Sequence, residues 1–305
     1  MANSKYSGIF PAFYACYDSE GKVSPEAVEK FTEHLINKGV NGLYVGGSSG
    51  ECIYQSVQER KLTLEHVMKV AKGKITVIAH VACNSTEDSC ELAAHAESLG
   101  VDAIASIPPI YFRLPDYAIA KYWNDISAAA PNTDFIIYNI PQLAGVALSE
   151  NCLKTMIKNP RVVGVKNSSM PTMDIQTFKA IGGEDFVVFN GPDEQLVAGL
   201  AIGAVGGIGG TYAAMPELYL EIKKAVDNGD LKFAQQLQDK ANHIIASFFK
   251  CKGNMYAVIK EIIKIREGID IGSVKAPLYP LCEGDLEHIY ESVKLIDEAI
   301  ALCRR

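Results

Sequence analysis

Apolar and polar positions alternate along this chain with two different periods. Short runs that are almost wholly apolar recur as GIFPAFYA (8–15), GLYVGG (42–47), ITVIAHV (75–81), DAIASI (102–107), FIIYNI (135–140), VVGVK (162–166), FVVFNG (186–191) and AVGGIGG (204–210). Between them, apolar residues fall at helical spacing over 25–39, 58–73, 87–99, 116–129, 149–158, 172–181 and 193–202. A strand that is apolar on both faces is covered on both faces, as in a parallel sheet flanked by helices. Eight such units in about 210 residues predict an α/β fold of the (β/α)8 TIM-barrel type, for which about 250 residues is typical. A doubly wound sheet is the competing arrangement. Against it, no GxGxxG follows the first strand, and no GK[ST] phosphate loop occurs anywhere.

Strand signals stop near residue 216, and the rest reads as helices over 216–227, 230–250, 254–267 and 285–302. Pro216, Gly229, Gly253, Gly268, Gly272 and Pro277 divide them. The first is expected to complete the barrel and the others to form an appended C-terminal helical layer. The predicted organisation is therefore a barrel over 1–228 and a helical extension over 229–305, packed as one unit.

Composition adds exclusions. With 48% hydrophobic and 21% charged residues among 305, the chain can bury a large core, so disorder, collagen-like repeats and coiled coil are not expected. Twenty-nine Lys and Arg against 36 Asp and Glu give a net charge of −7, which supplies no global field for a phosphate backbone. Nucleic acid is therefore not an expected partner. The opening segment MANSKYSGIFPAFYACYDSEG is broken by Pro11 and closed by Asp18, too short an apolar stretch for a signal peptide or membrane helix. A cytoplasmic protein without membrane attachment is the expectation. Eight cysteines without a CxxC pair fit reduced thiols. His80 and Cys83 are the nearest approach to a ligand pair, but the preferred reading is a strand end with a buried thiol, and no metal is expected.

In a barrel of this type chemistry sits at the C-terminal ends of the strands. That rule selects Gly46–Glu51 after strand two, Ile107–Tyr111 after strand four, Tyr138–Pro141 at strand five, Lys166–Ser169 at strand six, Asn190–Glu194 at strand seven and Gly206–Thr211 at strand eight. Lys166 ends an apolar strand, where desolvation disfavours an ammonium and leaves an amine able to condense with a ketone. The alternative is a lysine that snorkels outward or pairs with Glu51. A phenol at Tyr138 could pass protons or merely pack. The Ser48-Ser49-Gly50 turn can offer backbone N–H groups and two hydroxyls to an anion, so Glu51 beside it must point away or accept the turn's own N–H groups as a cap, the cap being preferred. Asp193 and Glu194 could complement a helix dipole or bind sugar hydroxyls. The glycines at 206–210 could admit a substrate close to backbone or simply form a tight turn.

Taken together, GSSGE (47–51), the tyrosine after the double proline, YNIP (138–141), the strand-six lysine, NGPDE (190–194), the glycine-rich eighth loop and the C-terminal helices resemble the pyruvate-dependent family that contains the N-acetylneuraminate lyases and dihydrodipicolinate synthases. The resemblance implies a class I aldolase in which Lys166 forms the imine and Tyr138 transfers protons. It further implies that Ser48 and Ser49 hold the pyruvate carboxylate, and that Tyr111 reaches a neighbouring subunit's site to join a hydroxyl relay through Ser49. A homotetramer follows by analogy.

Two residues after the YNIP proline the synthases carry an arginine for a second carboxylate, whereas this chain has Leu143. The lyases have an apolar residue there and an Asp-Glu pair after the strand-seven glycine. By resemblance Ser168, Gly191, Asp193, Glu194, Gly207 and Gly210 contact a hydroxylated tail. Ser168 keeps the hydroxyl of a usual threonine; Gly210 stands where family members often have serine, so that contact is lost or supplied by Thr211. The implied reaction is reversible cleavage of N-acetylneuraminate, a sugar acid, to N-acetylmannosamine and pyruvate. No cofactor beyond the covalent imine at Lys166 is implied, because the protonated imine is the electron sink. An aldolase for another 2-keto-3-deoxy sugar acid remains an alternative. So does a non-catalytic sugar-acid-binding barrel, which the coexistence of Lys166 and Tyr138 disfavours.

Overall fold

The computed structural model describes residues 4–303. Its eight strands are β1 (Gly8–Pro11), β2 (Gly42–Val45), β3 (Thr76–His80), β4 (Ala103–Ser106), β5 (Asp134–Asn139), β6 (Val162–Asn167), β7 (Val187–Asn190) and β8 (Gly206–Gly209). All pair in parallel in the order β1-β8-β7-β6-β5-β4-β3-β2. A parallel bridge from Ala12 to Tyr44, with the Phe13 N–H donating to the Tyr44 carbonyl at 2.9 Å, brings the two ends of the sheet together. The result is the TIM barrel expected from the sequence.

Helices return the chain between strands: α1 (Pro25–Asn37), α2 (Val57–Ala71), α3 (Thr86–Leu99), α4 (Asp116–Ala129), a short α5 (Pro141–Ala144), α6 (Glu150–Met156), α7 (Met173–Gly182) and α8 (Leu196–Ala201). Their starts follow from capping chemistry. Ser24 accepts from the Ala27 N–H before Pro25 opens α1, and Ser56 with Glu59 forms a reciprocal capping box on α2. Ser85 and Ser149 cap α3 and α6 as Ser24 caps α1, each accepting one backbone N–H, from Asp88 and Cys152. After α9 (Pro216–Asp227), α10 (Leu231–Phe248), α11 (Met255–Glu267) and α12 (Asp285–Leu302) pack on one another, and α10 also on α8 and α9. Among the described residues no helix is long and apolar enough to cross a membrane.

The strand alternation separates two cores. Inward-facing Phe10, Tyr44, Ile78, Ile136, Val187, Phe189 and Ile208 fill the barrel, while Ile9, Leu43, Val77, Ile104, Ile137, Val165 and Val188 face the helices. Three local predictions needed adjustment. The first strand ends at Pro11; Ala12 and Phe13 only bridge onward, to Gly209 and Tyr44, and residues 14–15 leave the sheet. The stretch read as a helix over 193–202 is a 3-10 turn at Asp193–Gln195 followed by α8, with Gln195 at φ −131° breaking the run. The four-residue α5 lies in what the pattern left as a connection.

Candidate active site

At the C-terminal mouth a cavity of about 570 Å³ is bounded by nine of the residues singled out in the sequence: Ser48, Ser49, Tyr138, Lys166, Ser168, Gly191, Asp193, Glu194 and Gly210. Tyr111 and Gly207 lie elsewhere.

Register places the lysine. Lys166 pairs with Tyr138 on β5 and with Phe189 on β7, so all three side chains point into the barrel at one level. The strand tops are stapled just above. Asn139 Nδ2 donates to Asn167 Oδ1 at 2.8 Å, the Ser168 N–H to the Asn139 carbonyl at 2.7 Å, and the Gly191 N–H to the Asn167 carbonyl at 2.7 Å. Lys166 is buried, with Nζ 3.9 Å from the ring centroid of Tyr138 and 4.3 Å from that of Tyr44. Among the described residues no carboxylate lies within ion-pair distance of this amine. It neither snorkels out nor pairs with Glu51.

Tyr44 and His80 complete the wall around Tyr138, with edge-on ring contacts at 5.7 Å and 6.0 Å. His80 Nδ1 meets the Gly46 carbonyl at 2.9 Å and must donate to it, leaving Nε2 to accept from the Ile107 N–H at 3.4 Å. Burial, the Arg60 charge and the Lys166 charge push the imidazole down to about 3, so it is neutral. Cys83 instead meets Arg60 Nη1 at 3.1 Å. The metal-pair spacing thus reflects two residues with separate partners. Among the described residues no group of three or more His, Cys, Asp or Glu is placed to hold a metal ion.

The Ser48-Ser49 turn leaves β2 into a 3-10 turn at Cys52–Tyr54. Ser48 is half-buried and Ser49 buried. Glu51 departs from expectation: it adopts the left-handed conformation at φ 55° and its side chain caps nothing. Its carboxylate pairs instead with Lys260 Nζ on α11 at 2.7 Å and accepts from the Lys275 N–H at 2.8 Å. A spacing argument confined to the turn could not see a partner 209 residues away.

On the opposite side the acidic pair divides. Asp193 is buried, and its Oδ2 accepts from the Thr211 N–H at 2.7 Å and the Thr211 hydroxyl at 2.6 Å. Burial raises its pKa to about 6, against the lowering effect of the Thr211 bonds; the Glu194 charge adds to the rise and Lys166 opposes it. Glu194 is exposed. The backbone of this segment is held from α10, where Gln238 Nε2 donates to the Asp193 carbonyl at 3.0 Å and Asn242 Nδ2 to the Glu194 carbonyl at 3.1 Å.

Thr211 gives its hydroxyl hydrogen to Asp193 and sits 2.6 Å from Tyr219 Oη, so it does not replace the hydroxyl missing at Gly210. Gly210 faces the site: a Cβ there would stand 3.4 Å from Ser49 Oγ. Gly191 lies so close to Ser168 that a Cβ would fall 2.0 Å from its Oγ. Gly207 is on the outer face of β8, where a Cβ would strike Tyr212 Oη at 2.2 Å; it serves barrel packing and is not brought to the cavity. Tyr111 is 89% exposed at φ 85°, edge-on to Phe112, and lines a separate surface groove.

Sequence reasoning passed over Tyr44, Tyr14, His80 as a wall residue, Tyr256 and Lys260. Tyr44 and His80 lie within β2 and β3, which are buried on both faces and carry no mark of a wall position. Tyr14, whose hydroxyl donates to the Gly210 carbonyl at 3.0 Å, follows the first strand. Tyr256, 5.8 Å from Tyr14 on α11, had no local signal.

The Dihydrodipicolinate synthetase family matches residues 5–296. This chain belongs to that family. It is 61% identical over 295 residues to the N-acetylneuraminate lyase of Mediterraneibacter gnavus, covering 97% of this chain and 94% of that protein. The solved structure of wild-type Ruminococcus gnavus sialic acid aldolase superposes with a TM-score of 0.96 at 61% identity, covering 97% of this chain and 98% of the other. The Proteus mirabilis N-acetylneuraminate lyase gives 0.89 at 30% identity, covering 97% and 99%. The family frame accounts for the barrel.

Proposed function

We propose that the chain is a class I aldolase that reversibly opens N-acetylneuraminate into N-acetylmannosamine and pyruvate through an imine on Lys166. The observation that carries the reading is Lys166 itself: a buried amine without a carboxylate partner, against the Tyr138 ring, at the floor of a cavity rimmed by a serine turn on one side and an acidic segment on the other. The names of the 61% identical relatives support the same substrate, and one of their structures is of a catalytic lysine mutant.

The Lys166 amine adds to the keto carbon of the open-chain sugar acid, and loss of water leaves an iminium. Tyr138, assisted by the substrate's own carboxylate, takes the proton from the hydroxyl on the carbon that becomes the aldehyde. The carbon–carbon bond electrons then flow into the iminium as an enamine, N-acetylmannosamine leaves, and protonation and hydrolysis release pyruvate. Ser48 and Ser49 hold the carboxylate, while Ser168, Gly191, Glu194 and Gly210 face the hydroxylated tail, with Asp193 holding the eighth loop behind them. Leu143 leaves no cation for a second carboxylate.

Tyr111 is assigned to a neighbouring copy's site in a cytoplasmic homotetramer, consistent with its exposure. Sedimentation on dilution tests this, and Tyr111→Phe mixed with Lys166→Ala should regain activity lost by both. Fully active monomers would refute the shared site.

The occupied Thr211 hydroxyl and bare Gly210 favour one competing substrate class, the shorter 2-keto-3-deoxy sugar acids, which need fewer tail contacts. Steady-state pyruvate release from N-acetylneuraminate and from such acids decides between them. Greater efficiency on N-acetylneuraminate supports the main reading, and preference for a shorter acid would replace it.

A further inference from the structure

The serine turn and the appended helical layer meet at one buried ion pair. Glu51 and Lys260 have side chains 0% and 2% exposed, with Nζ and Oε1 2.7 Å apart. Lys260 also donates to the Ser273 carbonyl at 2.6 Å and stands 4.7 Å over the Tyr17 ring, so its position is fixed from three directions. The other carboxylate oxygen of Glu51 accepts from the Lys275 N–H. Glu51 is one of two non-glycine residues at positive φ among the described residues. Left-handed backbone at a residue with a Cβ is strained and persists where surroundings over-determine it.

The turn itself is short and closed. The Glu51 N–H donates to the Ser48 carbonyl at 2.9 Å, and the Ala15 N–H reaches the Ser49 carbonyl at 3.3 Å. A carboxylate two residues from Ser49 therefore lies buried behind the turn that lines a site which, on the function proposed above, receives another carboxylate. Like charges at that range in a poorly screened interior repel unless one is neutralised in place.

We propose that Lys260 is a positioning residue for the keto-acid site: it holds Glu51 and, as its countercharge, makes the Ser48-Ser49 turn compatible with an anionic substrate. In this arrangement the C-terminal layer contributes to substrate affinity without touching substrate. The inference rests on the imine reading, and the test keeps the two apart.

Pyruvate is titrated with borohydride present at about pH 8, where an unpaired carboxylate stays ionised more fully, and the initial rate of imine trapping is read by intact-protein mass. Lys260→Met is expected to raise the half-saturating pyruvate concentration about tenfold or more while the rate at saturation falls less than about threefold. Lys260→Arg, which keeps the charge, and the double variant Glu51→Gln/Lys260→Met, which removes both charges, are each expected to recover most of that loss. Melting temperatures are recorded alongside. Should Lys260→Met fail to fold, Lys260→Gln, which retains a donor without charge, takes its place in the same comparison.

Unchanged half-saturation in the neutral Lys260 variant overturns the proposal. So does a double variant no better than the single one, because a purely structural role predicts additive damage instead of recovery. Absence of trapping in the wild type would instead overturn the imine reading itself.

Discussion

The two ends of the cavity are built differently. At the floor, Lys166, Tyr138, Tyr44 and His80 project from four strands into the barrel and are fixed by sheet register, by ring contacts and by the asparagine staple above them. At the rim above β7 and β8, the polar groups sit on turns and are fixed by side-chain hydrogen bonds: Asp193 to Thr211, Thr211 to Tyr219, Gln238 and Asn242 to the backbone. Rigid strands are suited to holding a nucleophile at a reacting carbon, where small displacements are costly. Turns tied by a few hydrogen bonds can vary with the substrate's tail while the chemistry stays the same. Substitutions at the floor should therefore abolish reaction on every substrate, whereas those at the rim should change which substrate is preferred.

The largest effect is expected from Lys166→Ala, which should lower cleavage of every sugar acid to background, a loss of roughly 10⁶-fold or more, in steady-state pyruvate release. Selective loss on one substrate would break the distinction between floor and rim. Tyr138→Phe comes next. It removes a proton-transfer group but not the ring under Lys166, so turnover should fall by about 10²–10⁴-fold with the melting temperature little changed. A decrease smaller than about tenfold would remove Tyr138 from the proton path.

How far each end could be read from sequence follows the same division. Half of the floor was legible, because the rule that function sits at strand ends pointed to Tyr138 and Lys166, whereas Tyr44 and His80 lie within strands that are apolar on both faces and carry no such mark. In the structure Gly207 lies on the outer face of β8 beside inward-facing Ile208, opposite to the role taken from resemblance. At the rim, adjacency of Asp193 and Glu194 suggested a common role. The structure separates them because Asp193 turns inward to Thr211 across 18 residues of sequence, a tertiary contact no local pattern encodes. Glu51 misled for the same reason, since its partners are in the C-terminal layer.

At the rim, Glu194→Ala should lower efficiency on N-acetylneuraminate by roughly ten- to a hundredfold, the consequence of losing a charged acceptor, and spare shorter 2-keto-3-deoxy acids. Asp193→Ala should weaken both, because Thr211 and the eighth loop lose their anchor. If the ratio of efficiencies does not move in Glu194→Ala, Glu194 does not read the hydroxylated tail.

The smallest effect is thermodynamic. Asp193 titrates at about 6 in the folded protein against 3.8 for an ordinary aspartate. Between those values the folded state binds the extra proton. Stability from this group is thus fully present below the lower value and is lost as pH rises through the upper one. Denaturant unfolding across that window should show this loss in the wild type, with a slope from this group of at most roughly 1.4 kcal/mol per pH unit, and not in Asp193→Asn. Parallel profiles for the two proteins would show that Asp193 is not the group responsible.

The most direct measurement of the central claim is the intact mass of the protein after borohydride reduction with pyruvate alone, which engages the floor and leaves the rim empty. Wild type and Glu194→Ala are each expected to gain one reduced pyruvate per chain, with the label on Lys166 by peptide mapping, and Lys166→Ala none. A Lys166→Ala protein that is still labelled, or a wild type that is not, would contradict the account.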